Sequence, residues 1–234
     1  MSRLGATARG DVRLQLRNGF YWAAGFVALY CILLLNLVDA ETLGWLIPPF
    51  VFSNLMMNTF YFIGGLVLLE KAEGTLEAQI VTPLRTSEYL ASKIVTLTAL
   101  AIVENLAIVG LTFGFSLRIV PLAVGMLLAG PIYALLGFAA VARYDSINEY
   151  LFPSFIYSTL LSPPLFTYLG VWGSGWTVLH PLQPAMVLME GALRPLAAGE
   201  WLYGVLGSIT WIVPAFLWSR RAFHRFVVVK EGSR

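Results

Sequence analysis

The chain has 234 residues, enough for one or two domains, and 58% of them are hydrophobic against 12% charged; soluble domains carry charge on about a quarter of their residues. A mean hydropathy of +0.76 excludes a soluble enzyme, a nucleic-acid-binding domain and a disordered scaffold, because none of them could hold so much apolar surface in water. The net charge of +2 acquires meaning only once the charges are placed along the chain.

Residues 1–19 read as an amphipathic helix lying on the membrane surface. Arg9, Arg13 and Arg17 recur every fourth residue and share one face, and Leu4, Ala8, Val12 and Leu16 form the adjoining apolar stripe. A solvated basic tail that only fixes orientation is the plainer alternative. Six apolar runs follow, at about 20–38, 46–69, 94–115, 121–142, 150–169 and 203–218, each near the roughly 20 residues that a helix needs to cross ~30 Å of hydrocarbon. Helices are expected because lipid offers no partner to a bare N–H or C=O. Val38-Asp39-Ala40 resembles a cleavage site, but the run before it is too long for a signal-peptide core and is read as a retained span.

The expected architecture is therefore an all-α polytopic membrane protein with six transmembrane helices. It divides into an interfacial helix at 1–19, a six-span domain at 20–218 and a basic cytoplasmic tail at 219–234. With the N-terminus inside, all of the 15 Lys and Arg residues except Arg118 and Arg194 fall on the cytoplasmic side, so both termini are expected there. Cys31, the one cysteine, lies within the first run, so no disulfide framework is expected. His180 and His224 fall on opposite sides and cannot share a metal, and no catalytic constellation is visible.

Two segments outside the spans carry patterns. In the cytoplasmic segment 70–93, Gly74 allows a break after the second span, Thr75 can cap a short helix ending near Val81, Pro83 ends it, and Thr86 with Glu88 caps the third span. Leu76 and Ile80 share one face of that short helix, and Glu73 and Glu77 another, a layout suited to a knob that fits a groove on a partner. A solvated amphipathic loop is the alternative. In the outer segment 170–202, Trp172, Trp176 and the run 183–190 are too apolar for water and too short to span, so they are expected to dip back into the outer leaflet. The chain has no G-x-x-x-x-G-K-[ST] phosphate loop, so nucleotide chemistry, if used, belongs to another polypeptide.

Polar residues inside the runs are the candidate pathway. Glu104 falls near mid-membrane, where a carboxylate must face protein or a watery cavity; its alternative is a protonated group hydrogen-bonded to a neighbouring helix, through Asn105 for instance. Asn54 and Asn58 share a face of span two, and Ser154 and Ser158 share one of span five beside Tyr157. They are either path-lining or hydrogen-bonding glue between helices. Pro163-Pro164 should unwind the outer end of span five.

The run Glu73-Gly74-Thr75-Leu76-Glu77, then Thr82-Pro83-Leu84-Arg85, then Glu88-Tyr89-Leu90 and Lys93 resembles the coupling-helix region of ABC-2 type permeases, the transmembrane subunits of ATP-binding-cassette exporters. The stretches 143–150 and 180–183 are similar to the fluoroquinolone-export permease group of actinobacteria and related bacteria. The resemblance implies that Glu73, Gly74, Thr75, Leu76, Glu77, Ile80, Pro83 and Arg85 couple the spans to a separately encoded ATPase, which binds ATP and Mg, and that this chain is not itself an enzyme. It implies a second permease subunit, either a copy or a related chain, with spans two and five lining the route. Asn54, Asn58, Tyr157 and Ser158 are then pathway residues, with Glu104 added on local grounds. The expected cargo is a hydrophobic or amphipathic drug-like or lipid-like molecule, and no nucleic acid is involved. A proton-coupled secondary transporter using Glu104 is the rival.

Overall fold

A computed structural model describes residues 3–76, 85–114, 117–173 and 175–228. Among these it is all-helical: α1 (Arg3–Arg17), α2 (Phe20–Leu35), α3 (Ala40–Met56), α4 (Phe62–Ala72), α5 (Thr86–Phe113), α6 (Ile119–Val141), α7 (Ile147–Leu161), α8 (Pro163–Tyr168), α9 (Gln183–Glu190) and α10 (Ala198–Phe223). A π-helical turn, Met57–Tyr61, joins α3 to α4, so that Thr42–Ala72 runs as one rod of 31 residues.

Among the described residues four helices are long and apolar enough to cross a membrane: Thr42–Ala72, Thr86–Phe113, Ile119–Val141 and Ala198–Phe226. A fifth is added if α1 and α2, bent by 62° at the 18–19 break, are taken as one span. The chain is thus a multi-pass membrane protein. The run at 150–169 is divided as its prolines require: α7 stops at Leu161 and α8 starts afresh at Pro163. With α7 holding 15 residues and α2 16, neither alone reaches the length of the other four.

The centre of the bundle is α6, which packs against α3, the π turn, α4, α5, α9 and α10. It is apolar all round and is buried along most of its length. Its glycines allow the neighbours to come close: a Cβ on Gly125 would meet Met189, one on Gly130 would meet Thr98, and one on Gly137 would meet the backbone of Phe60. By contrast α7 makes its main contacts with α6 and α8 only and exposes Leu151, Phe152, Phe155 and Leu160.

Helix α1 buries Asp11 and Gln15 against α5 and leaves Leu4 and Leu16 of the apolar stripe exposed. The outer segment is also built by burial. Helix α9, with Pro184 in its first turn, is inserted between α6 and α10, and Pro184, Met186, Leu188 and Met189 are all buried.

Candidate coupling and pathway sites

Helix α4 ends at Glu73 and the chain turns at Gly74, whose φ of 68° lies in the left-handed region. Among the described residues nothing lies within 4 Å of where a Cβ would stand, and the backbone conformation itself favours glycine. Glu73 is partly exposed and is held by Arg17 Nη2, which donates to both carboxylate oxygens at 2.9 and 3.2 Å. The Thr75 hydroxyl turns back to donate to the Glu70 carbonyl at 3.2 Å; the short helix it was expected to cap lies outside the described residues. Leu76, expected on the partner-facing side, is only 3% exposed and belongs to the apolar core of this chain. Glu77, Ile80 and Pro83 lie outside the described residues. The chain re-emerges at Arg85, in extended conformation, whose N–H donates to Glu88 Oε2 at 3.0 Å. The cap of α5 therefore sits one residue before Thr86, and Glu88 supplies its carboxylate.

Beneath these two ends lies a charge cluster that sequence reasoning missed. Lys93 is fully buried, and its Nζ donates to Glu70 Oε1 at 2.6 Å and to Asp11 Oδ1 at 2.9 Å. It also lies 4.5 Å from the centre of the Tyr89 ring. The second oxygen of each carboxylate is satisfied too: Tyr89 Oη donates to Glu70 Oε2 at 2.7 Å, and Ser92 Oγ donates to Asp11 Oδ2. One turn on, Gln15 Nε2 donates to Thr96 Oγ1 at 2.9 Å. Buried charges persist only when paired and hydrogen-bonded, and here the pairing ties α1, the end of α4 and the start of α5 into one knot. The neighbouring Lys71 fastens the same end of α4 to the α6–α7 connection, donating to the carbonyls of Ala142 and Tyr144 at 2.7 and 2.6 Å.

The expected pathway residues fall into two groups. In the first, Asn54 Nδ2 donates to Glu104 Oε1 at 3.3 Å and to Asn105 Oδ1 at 3.2 Å, while Asn58 Nδ2 donates to the Asn54 carbonyl at 3.1 Å. All four side chains are buried, and Glu104 Oε2 has no hydrogen-bond partner among the described residues. In the second, Ser158 Oγ accepts from Tyr61 Oη at 3.0 Å and Tyr157 Oη lies 3.4 Å from Tyr144 Oη. The π turn serves both groups, with Asn58 in one and Tyr61 in the other. Asn105 could be suspected from its place beside Glu104; Tyr61 and Tyr144 gave no sequence signal, because their partners come from distant parts of the chain.

At the opposite end of the bundle, Arg194 joins α9 to α10, pairing with Glu200 at 2.7 Å and Glu190 at 3.2 Å. Burial pushes the Glu190 carboxyl above its ordinary value and Arg194 pulls it back. Removing the guanidinium should therefore raise it further. A carboxyl raised above its unfolded value opposes folding once the pH exceeds that value, about 4.3 for Glu. Arg194→Met is expected to lower Tm by ~2–4 °C at pH 7.5, and the part of the deficit owed to Glu190 should shrink as the pH falls toward about 4.3, as read by thermal unfolding in detergent across pH.

Residues 2–231 match the fluoroquinolones export permease protein family. The chain belongs to that family. The fluoroquinolones export permease proteins of two strains of Mycobacterium tuberculosis are each 28% identical to it over 235 aligned positions, covering 99% of this chain and 99% of theirs. Membership in this export permease family assigns the chain to membrane transport as a permease and not as a catalytic enzyme. The match also covers all the elements above, from α1 to α10.

Proposed function

We propose that the chain is the permease subunit of an ABC-2 type exporter in the bacterial inner membrane, with both termini cytoplasmic. It moves a hydrophobic or amphipathic small molecule outward, using ATP and Mg bound by a separate nucleotide-binding subunit. A second permease subunit, a copy or a related chain, completes the pathway. In this reading α2 and the α7–α8 pair serve as the first and fifth of six spans, and α9 is the re-entrant element before the last.

The observation that supports the reading most is the anchoring of segment 70–93. Close to both Leu76 and Arg85, the described residues that flank its middle, Lys93, Glu70 and Asp11 bind α4, α5 and α1 together. A push on the segment would thus be delivered to three helices at once. Leu76 transmits it from within, while Glu77 and Ile80 are the residues offered to the ATPase.

Copurification with an ATP-binding subunit is the first expected result. Reversing the charge in Glu77→Arg is expected to lower substrate-stimulated ATP hydrolysis in the reconstituted complex about tenfold, as loss of ~1.4 kcal/mol at an interface would, while unstimulated hydrolysis by the ATPase alone stays unchanged. Stimulation equal to wild type would count against the coupling role.

Glu104 keeps one rival open, because a buried carboxylate with an unpartnered oxygen is the form a proton carrier takes. The rival predicts transport that persists without nucleotide, collapses with the proton gradient and is abolished in Glu104→Gln. The exporter reading predicts dependence on nucleotide in both chains.

A further inference from the structure

Between α7 and α10 lies a cavity of about 520 Å³, within the range of small-molecule sites. Its floor is α6 at Leu136 and Ala140, with Phe60 of the π turn also lining it. One wall is Tyr157 and Leu160 of α7, and the other is α10, with Trp211 and Trp218 two helical turns apart, roughly 10 Å along the axis. His180 and Pro181 close one end. The groove is independent of both the Glu104 cluster and the segment 70–93.

Its chemistry is uncharged. No acidic or basic side chain lines it apart from His180, and both nitrogens of that ring are engaged. The Leu182 N–H is a donor 3.2 Å from Nδ1, which fixes Nδ1 as the acceptor, and Nε2, which then carries the proton, lies 3.0 Å from the Leu160 carbonyl. Burial also pushes His180 below its ordinary value, against the opposing effect of the Leu160 carbonyl. The imidazole is therefore a neutral lid. What remains is aromatic surface, with the indole N–H groups of Trp211 and Trp218 and the hydroxyl of Tyr157 as its polar side-chain atoms. In the Tyr157–Tyr144 pair one hydroxyl donates to the other, so when Tyr144 donates, the proton of Tyr157 is free for an acceptor in the groove. Trp211 and Trp218 are 36% and 50% exposed, so their rings offer faces for stacking.

We infer that this groove is a binding site for a neutral, largely aromatic molecule that enters sideways from the lipid, stacks on Trp211 and Trp218 and accepts one hydrogen bond from Tyr157. The inference rests on the transport reading only for its purpose; occupancy is measured without ATP or transport.

The test uses the full chain in lipid nanodiscs, with empty nanodiscs as the blank. The probes are N-phenyl-1-naphthylamine, which is neutral and aromatic, and tetraphenylphosphonium, which is aromatic and cationic. Saturable binding of the neutral probe is expected, with the cation at least tenfold weaker because the groove holds no counter-charge. Leu160→Trp fills the groove from an exposed position and should weaken the neutral probe at least tenfold while leaving Tm unchanged; the double variant Trp211→Leu, Trp218→Leu should do the same by removing the stacking faces. Equal binding in wild type and Leu160→Trp, or equal binding of the two probes, overturns the proposal. So does quenching of Trp211 and Trp218 by brominated phospholipid that saturating probe does not relieve, since lipid would then be the occupant. Absence of saturable probe binding in wild-type chain whose ATP-driven export is intact refutes this site alone, whereas failure of nucleotide dependence refutes the exporter reading and leaves the site standing.

Discussion

Replacing Lys93 by Met is expected to destabilise the chain by about 3–5 kcal/mol, a fall in Tm of roughly 6–20 °C for a chain of this size. The substitution nearly preserves volume, so the cost is electrostatic. Glu70 and Asp11, 0% and 5% exposed, would be left facing each other without the ammonium that both contact. Tyr89 and Ser92 can each still donate one hydrogen bond, which cannot neutralise two carboxylates. The control is the triple variant Asp11→Asn, Glu70→Gln, Lys93→Met. It removes the charges together, and buried ion clusters replaced as a set are often close to neutral in stability. Thermal unfolding in detergent should thus place the triple variant well above the single one. If the single variant melts with wild type, the knot holds nothing together.

The second large effect is expected at Gly137. A Cβ there would stand 2.8 Å from the Phe60 carbonyl oxygen, 2.9 Å from Ile63 Cγ2 and 3.1 Å from Phe60 Cα. Two of those three atoms are backbone and cannot swing aside, so Gly137→Val must drive α6 away from the π turn. Overpacking of this kind costs about 3 kcal/mol, and here it also disturbs the turn that holds Tyr61 on Ser158. Export should fall along with Tm. Gly25→Ala provides the contrast: no atom lies within 4 Å of its Cβ, so relief of helix-interior glycine entropy should leave the chain as stable as before or up to ~1 kcal/mol more so. Both are read by thermal unfolding of the same preparation, and equal behaviour of the two variants would refute the close-packing account of α6.

Much of the helix layout was legible because a membrane span is a local property: some 20 apolar residues announce it wherever they fall. The runs at 46–69, 94–115, 121–142 and 203–218 all lie within or nearly within the long helices found, and Pro163 and Gly74 mark the breaks that their backbone chemistry demands. What could not be read was which faces meet. Asp11 stands among the N-terminal arginines with no local signal of its role, and its meaning comes from Lys93, 82 positions away. Leu76 looked like an offered side chain, and burial against its own bundle decides otherwise. Glu104 was marked by its cost in lipid alone, and the Asn54–Asn105 bridge beside it depends on how two helices are rotated. That rotation is set by packing and by the π turn, which no local pattern announced.

That turn has a mechanical consequence. Met57–Tyr61 winds wider than the α-helices on either side, so the rod from Thr42 to Ala72 carries slack that its ends do not show. Drawing the slack out by tightening the turn would swivel everything beyond it by up to about 100°, the twist per residue of an α-helix. Because Lys71 and Glu70 are pinned at the far end, the swivel could not dissipate there; it would arrive as torque on the same three-helix knot of Asp11, Glu70 and Lys93.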